Sequence, residues 1–569
     1  MKKAIIKLFC ISTFIGSSIF TDAQTIFTTK HNLAISGPGT VKALTETQIC
    51  KFCHTPHNAR PQAPLWNRNN AGGPYTLYSS STLNATLGQP DGSSILCLSC
   101  HDGTVALGQI VSGPAISFAA ANTFMPVGKT RLTTDLSNDH PISFVYSAAL
   151  ATADGQLLAP SAIIAPVSLK NSKVQCTSCH DPHKNITGGT SFLVTTTRTS
   201  ALCLSCHNRT HWAGNTSHRT STRTWNGTLP DPWPNTPYLN VAENACESCH
   251  NPHNSAGRIR LLKYAAEESN CLDCHNGNGA TKNIQLQFGK LSKHNVSGYT
   301  GLHQPNEAVR VITNRHVECV DCHNPHAANN TTALAPLANG FLRGVSGINQ
   351  AGTVVSQVTN SYEVCYKCHS GNPGSLASIF PRQFPQNDVR TEFATTNASF
   401  HPVVAANPVT LAPGNFVNLG GLPNMNTNTV IYCTSCHASD GTGAPAGPHG
   451  SSWPFILRFQ FSTVAFADGR TAVPVESAST FELCYSCHNR TTVVGGTNGW
   501  SKHPKHTQKG SCNMCHDPHG STKTNLINFR TDIVLPARSG RREYIDDGFR
   551  AGTCYLECHG TNHDPKNYN

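Results

Sequence analysis

Twenty-four of the 25 cysteines stand in twelve pairs, and each pair is followed at once by histidine. The pairs are Cys50 and Cys53, Cys97 and Cys100, Cys176 and Cys179, Cys203 and Cys206, Cys246 and Cys249, Cys271 and Cys274, Cys319 and Cys322, Cys365 and Cys368, Cys433 and Cys436, Cys484 and Cys487, Cys512 and Cys515, and Cys554 and Cys558. The histidines that follow are His54, His101, His180, His207, His250, His275, His323, His369, His437, His488, His516 and His559. Histidine is 29 of 569 residues, so twelve such adjacencies have a chance probability on the order of 10⁻¹⁵. Neither a disulfide framework nor a zinc ribbon needs that histidine. Attachment of a c-type haem does. Two thiols form thioethers to the vinyl groups, a two-residue spacer lets both sulfurs reach adjacent edges of one porphyrin, and the histidine binds iron from one side. Eleven motifs have this spacer; the twelfth, "CYLECH" at 554–559, has one residue more. About twelve covalent haems c are expected, the twelfth by looping out the additional residue.

The motifs alternate. Odd-numbered ones continue as CHxPH, giving His57, His183, His253, His326 and His519, and in the ninth an insertion at 438–447 delays the equivalent His449. Three virtual bonds from His54 to His57 span at most about 11 Å. That is too short to pass round a porphyrin already held by His54, so the second histidine serves another iron or none. Ahead of each CHxPH motif stands a further histidine: His31, His140, His218, His294, His401 and His503. Six and six supply one distal ligand per haem. The spares are His211, His303, His316, His506 and His563, and they leave alternatives open: His211 against His218, His294 or His303 against His316, and His503 against His506. Methionine, the rival ligand, offers only Met125, Met425 and Met514 after Met1, and Met514 lies within a motif. Bis-histidine ligation is expected throughout, with lower potentials than His/Met.

The elements that must carry these motifs are short. Only 13% of residues are charged, and Gly, Pro, Ser, Thr and Asn are abundant. The expected fold is mostly irregular coil with short helices and few strands, such as "SFVYSA" at 143–148 and "FILRFQFSTVAF" at 455–466, with the haems themselves as core. Pairing of motifs divides the chain into a signal segment at 1–23 and six two-haem modules, at 24–135, 136–210, 211–285, 286–395, 396–495 and 496–569.

Residues 1–23 read as a secretory signal: Lys2 and Lys3 precede apolar "LFCISTFIGSSIF", and cleavage is expected after Ala23. Cys10 falls inside, where bulky Leu8 and Phe9 replace the small residues of a lipid-attachment site. No later run approaches the ~18 apolar residues of a membrane helix. An exported protein is expected, extracellular or on the outer cell surface, with the periplasm as the other compartment. The formal charge of +11 does not indicate nucleic acid, because the basic residues are scattered. It is expected to offset the propionates of about twelve haems.

The CHxPH sites, "CLSCHDGT", "LSNDHPISF", and the segments "KHNL", "KHNV" and "FHPV" resemble doubled-CxxCH multihaem cytochromes c, in particular the outer-surface cytochromes of bacteria that respire metals or electrodes. The resemblance implies electron transfer along a stacked row of bis-histidine haems. The implied partners are other redox proteins or an extracellular acceptor, with self-association into filaments in some relatives. His31 and His563, near the two ends, are the candidates for a ligand shared between subunits. The competing reading is a multihaem reductase of nitrite, hydroxylamine or sulfur oxyanions. Such enzymes need an open iron, often marked by Lys in place of the motif histidine, and all twelve motifs here end in His. A structural metal or disulfide protein is the third reading.

Overall fold

The computed structural model describes residues 24–59, 65–185, 191–299, 303, 316–371, 379–385, 387–407, 425–463, 476–495, 500–548 and 550–568. The expected signal segment lies outside the described residues, as does the end of the stretch at 455–466. Turns and irregular backbone dominate. The longest helices are Gly92–His101, Glu267–His275 and Tyr362–His369, of ten, nine and eight residues. Most sheets are antiparallel ladders of two residues a side, and one has three strands.

Motif class decides the local backbone. The three longest helices each end on an even-numbered motif, at His101, His275 and His369. Odd-numbered motifs occupy single turns, such as Ile49–Phe52, Cys176–Cys179, Cys319–Cys322 and Cys512–Met514. In the CHxPH motifs the chain leaves the turn at the histidine, as at His180 (φ −122°, ψ 139°) and His323 (φ −131°, ψ 134°), and the proline two residues on, which biases its own preceding residue away from the helical region, keeps the helix from resuming.

Among the described residues, two expected strands do not form. Ser143 has φ +62°, Val145 makes one isolated bridge, and Ser147 accepts the Leu150 amide to cap the helix Ala148–Asp154. At 455–466, Phe455 and Ile456 sit at φ +61° and +54°, which breaks the extended run. Side-chain pattern favoured strands at both places, and local turn chemistry overrode it.

The chain falls into two compact units. The first comprises Met1–Tyr78, Asn84–Thr197 and Ala201–His207, and holds motifs one to four. Its apolar clusters are small, for example Tyr75, Leu98 and Leu136. Fully buried Arg68 joins the loops there, donating to the carbonyls of Ser99, Ala106 and Leu107. The second unit comprises Ser79–Leu83, Arg198–Ser200 and Asn208–Asn569. It too has modest clusters, the largest built from Ile348, Tyr362, Tyr366, Phe393, Val403 and Ile431. Motifs six to twelve all open onto one continuous cavity of about 2490 Å³ inside this unit. A polypeptide that surrounds such a space with motif residues is shaped to pack around a large apolar group rather than around itself.

Candidate haem centres

In the motifs with a two-residue spacer the histidine amide donates to the first cysteine's carbonyl, as in His54 to Cys50 at 2.8 Å, His323 to Cys319 at 3.0 Å and His516 to Cys512 at 3.0 Å. One α-turn closed in this way brings residues i, i+3 and i+4 to one face. Both thiols and the imidazole then address the same side. Burial pushes the thiols of Cys53, Cys179, Cys322 and Cys436 up to about 12. Such surroundings disfavour thiolate and suit the neutral thioether sulfurs for which these atoms stand.

The twelfth motif departs from this pattern. Cys554 and Cys558 lie on the strand Gly552–Cys558, between Glu543–Asp546 and Thr561–Tyr568. The expected looped turn is absent. His559 (φ +43°) and Gly560 (φ +75°) form a two-residue hairpin turn, which selects positive φ at both positions. The additional residue makes the cysteine spacing even, so both thiols share a strand face. Extended backbone separates residues four apart by about 13 Å, and the register shift between Cys554 and Leu556 puts its additional residue on the partner strand, between His563 and Lys566. This stretch must contract before both sulfurs reach one porphyrin.

Ten of the motif histidines face a second histidine. Among odd motifs the partner comes from the next CHxPH: His54 with His183 (ring centroids 6.0 Å apart), His250 with His326 (6.2 Å), His323 with His449 (6.1 Å) and His437 with His519 (6.2 Å). Among even motifs it comes from the upstream histidine: His101 with His31 (6.2 Å), His207 with His140 (6.3 Å), His275 with His218 (6.3 Å), His369 with His294 (6.4 Å) and His488 with His401 (6.2 Å). In the eleventh, His516 faces His503 at 6.3 Å. Two imidazoles bonded to one metal at about 2.0 Å each have centroids about 6.3 Å apart. The pairs therefore fit an iron between them. Burial lowers His275, His437, His449 and His488 to about 4, which favours the neutral imidazole that binds metal.

Second contacts fix which nitrogen is available. The Nδ1 of His101 donates to Thr130 O (2.8 Å), that of His250 to Arg260 O (2.8 Å) and that of His323 to Phe341 O (3.0 Å), leaving Nε2 for iron. Four of the six upstream histidines use a recurring acceptor, the proline of the next module's CHxPH or its PH equivalent, while His140 turns to Pro141 O (2.9 Å) and His503 to Val493 O (3.1 Å). His31 donates to Pro182 O (3.3 Å), His218 to Pro325 O (2.9 Å), His294 to Pro448 O (2.8 Å), and His401 to Pro518 O. Each such Pro-His dipeptide thus closes both centres of the preceding motif pair. Its histidine faces one motif histidine, and its carbonyl holds the partner of the other. Short ladders fasten the same segments together, Ser292–Lys293 with Gly450–Ser451 and Ser399–Phe400 with Gly520–Ser521.

His519 differs in its second contact. Its Nδ1 lies 2.5 Å from Glu392 Oε2 instead of a carbonyl. Burial alone would lower this imidazole, but Glu392 and Asp517 outweigh it and the shift is upward.

The motifs follow one another in space as they do in sequence. Within pairs the second cysteines are neighbours: Cys53 and Cys100, Cys179 and Cys206, Cys249 and Cys274, Cys322 and Cys368, Cys436 and Cys487, Cys515 and Cys558. Between pairs the first cysteines meet closely enough to exchange a hydrogen bond: Cys97 with Cys176, Cys271 with Cys319, Cys365 with Cys433, and Cys484 with Cys512. Motifs one to four are linked in this way in the first unit, and five to twelve in the second.

The open choices among histidines are placed as follows. His218, not His211, faces His275, and His294, not His303 or His316, faces His369. His503 faces His516, while His559 adds to burial in lowering His506, so both take up positions by motifs. His57 and His253 are exposed. His31 faces His101 of its own chain, and buried His563 shares a hydrogen bond with the Tyr568 hydroxyl (2.8 Å). Sequence reasoning missed the proline carbonyl and Glu392. For the first the signal was present, since proline directly precedes the second histidine in every case, but it read only as a helix breaker.

A family model described as outer membrane cytochrome MtrC/MtrF-like, domains II/IV, matches residues 238–399, which hold motifs five to eight. One described as doubled CXXCH motif matches residues 169–211, which hold motifs three and four. No curated protein matches the chain. A haem c bound at such motifs supplies an iron that cycles between ferric and ferrous states. With its repeated CxxCH turns and facing histidines, the chain is a multihaem c-type cytochrome resembling the outer membrane cytochromes that those models describe.

Proposed function

We propose that the protein carries electrons along a row of about twelve bis-histidine haems, built as six two-haem modules, to an extracellular acceptor or between redox partners at the cell surface. The carrying observation is the succession of neighbouring cysteines, in which each motif within a unit has a cysteine beside one of the next in sequence order. Thioethers at those sulfurs bring consecutive porphyrin edges into contact, which is what rapid hopping needs. The row reaches the surface at its first centre, where His54 is exposed and the His183 side chain is 61% exposed. Electron exchange with a partner or a second copy is assigned to that end.

The test uses the secreted holoprotein. Fully reduced, it is expected to bind no carbon monoxide, because every iron has two histidines, and to pass electrons from a small reductant to an electrode in film voltammetry. A stoichiometric carbon monoxide adduct together with turnover of nitrite or hydroxylamine would replace this reading by the reductase. Imaging of concentrated protein decides between filaments and single particles.

A further inference from the structure

Beside the seventh motif, in the second unit, two further histidines converge on a buried carboxylate. Glu318 is 4% exposed. Its side chain caps the turn Cys319–Cys322 by accepting the amide of Asp321. Its Oε2 receives no hydrogen bond and points at two imidazoles, with His303 Nδ1 at 3.4 Å and His316 Nε2 at 3.8 Å. The three donor atoms lie within 4.8 Å of one another. Asp321 Oδ1, 3.6 Å from His303 Nδ1, is a fourth donor at the same place. A tetrahedral shell with metal–ligand distances of about 2.0–2.1 Å sets its donors about 3.3 Å apart, and the two separations from Glu318 Oε2, 3.4 and 3.8 Å, lie close to that spacing.

The surroundings hold the donors in place. Tyr299 stacks on His316 at 4.0 Å, and the His303 amide donates to Glu267 Oε2 at 3.0 Å. Glu267 is itself 4% exposed and lies 3.8 Å from the Arg260 guanidinium. The position for which these two histidines competed, opposite His369, is filled by His294.

We propose that His303, His316 and Glu318, with Asp321 alongside, form a site for one divalent transition-metal ion of the zinc type. Imidazole donors select such an ion over calcium or magnesium, which prefer all-oxygen shells. The ion would stand one residue from the Cys319 sulfur. A dication there counters the buried carboxylates and makes an electron on the adjacent haem more favourable.

The experiment takes holoprotein dialysed against chelator, titrates it with Zn²⁺, dialyses again and measures zinc against iron. Wild type is expected to retain one Zn²⁺ more than the double variant His303→Ala/His316→Ala, with an X-ray absorption shell of nitrogen and oxygen and no sulfur. Glu318→Gln is expected to weaken retention about tenfold to a hundredfold. Iron content and intact mass of the same samples show that the haems remain attached. If Glu318→Gln does not accumulate, the double variant alone decides. Equal zinc in wild type and double variant, no retained zinc, or a density map with His303 or His316 bonded to a haem propionate would overturn the site.

Discussion

His250 and His326 face each other 13° from parallel, whereas His218 and His275, at nearly the same separation, cross at 85°. The contrast follows motif class. Odd-motif pairs made with a CHxPH histidine cross at 13°, 18°, 20° and 47°, and even-motif pairs at 57° to 85°. Low-spin ferric haems with parallel imidazoles give rhombic paramagnetic resonance signals, and crossed imidazoles give signals with a large maximum g. The oxidised protein should show both populations, with neither a trace component. A spectrum of one class alone would contradict the pairing.

His183→Ala should open the iron bound by His54 and leave that bound by His180 six-coordinate. Carbon monoxide should then bind about one reduced haem per chain, against none in wild type. Because His54 is exposed, access should be fast. Vacancy at the haem on Cys176 and Cys179 would show that His183 serves its own motif.

The CxxCH repeats were legible because covalent attachment demands cysteine and histidine at fixed places. Reach alone showed that a CHxPH histidine could not serve its own iron, but not which iron it served. That depends on the next module folding back, as His326 does onto His250. The carbonyl of Pro325 was illegible for another reason: any residue supplies a backbone acceptor, so its role leaves no mark in residue type. The strand at the twelfth motif was hidden because a spacing of four suits a helical turn and a strand face alike.

Glu392→Gln should raise the reduction potential of one haem, the one between His437 and His519, on the order of tens of millivolts. The carboxylate gives His519 partial imidazolate character, which favours ferric iron, and the amide removes it. Potentiometric titration should show one component moving upward while the total haem count is unchanged. No shift would mean that Glu392 only packs.

Intact mass should equal the polypeptide from Gln24 plus twelve haems. A mass short by one haem, restored to no further loss by Cys554→Ser/Cys558→Ser, would place the defect at the extended twelfth motif. That variant should otherwise lose one haem.

Glu476 accepts Tyr485 Oη at 2.8 Å and binds Arg490 at 2.7 Å. The hydrogen bonds from Arg490 hold its carboxyl below the ordinary value. A depressed carboxyl stabilises the fold above its unfolded pKa, and the contribution disappears as pH falls through the folded pKa. Glu476→Gln should cost about 1–2 kcal/mol at neutral pH, since Arg490 is 43% exposed and screened, and little in strong acid. Denaturant titrations at both pH values check this.

The Pro-His dipeptide that closes the preceding pair also sets a timetable. As the chain emerges from an export channel, the centre at His250 cannot be finished by its own module; it waits for His326, while His218, opposite His275, waits only for the Pro325 carbonyl that orients it. Maturation therefore runs one module behind synthesis. The last pair escapes the wait, because His503 and His506 emerge before it. A chain cut between modules would therefore carry one odd-motif haem without its second histidine, and with it a site open to small ligands.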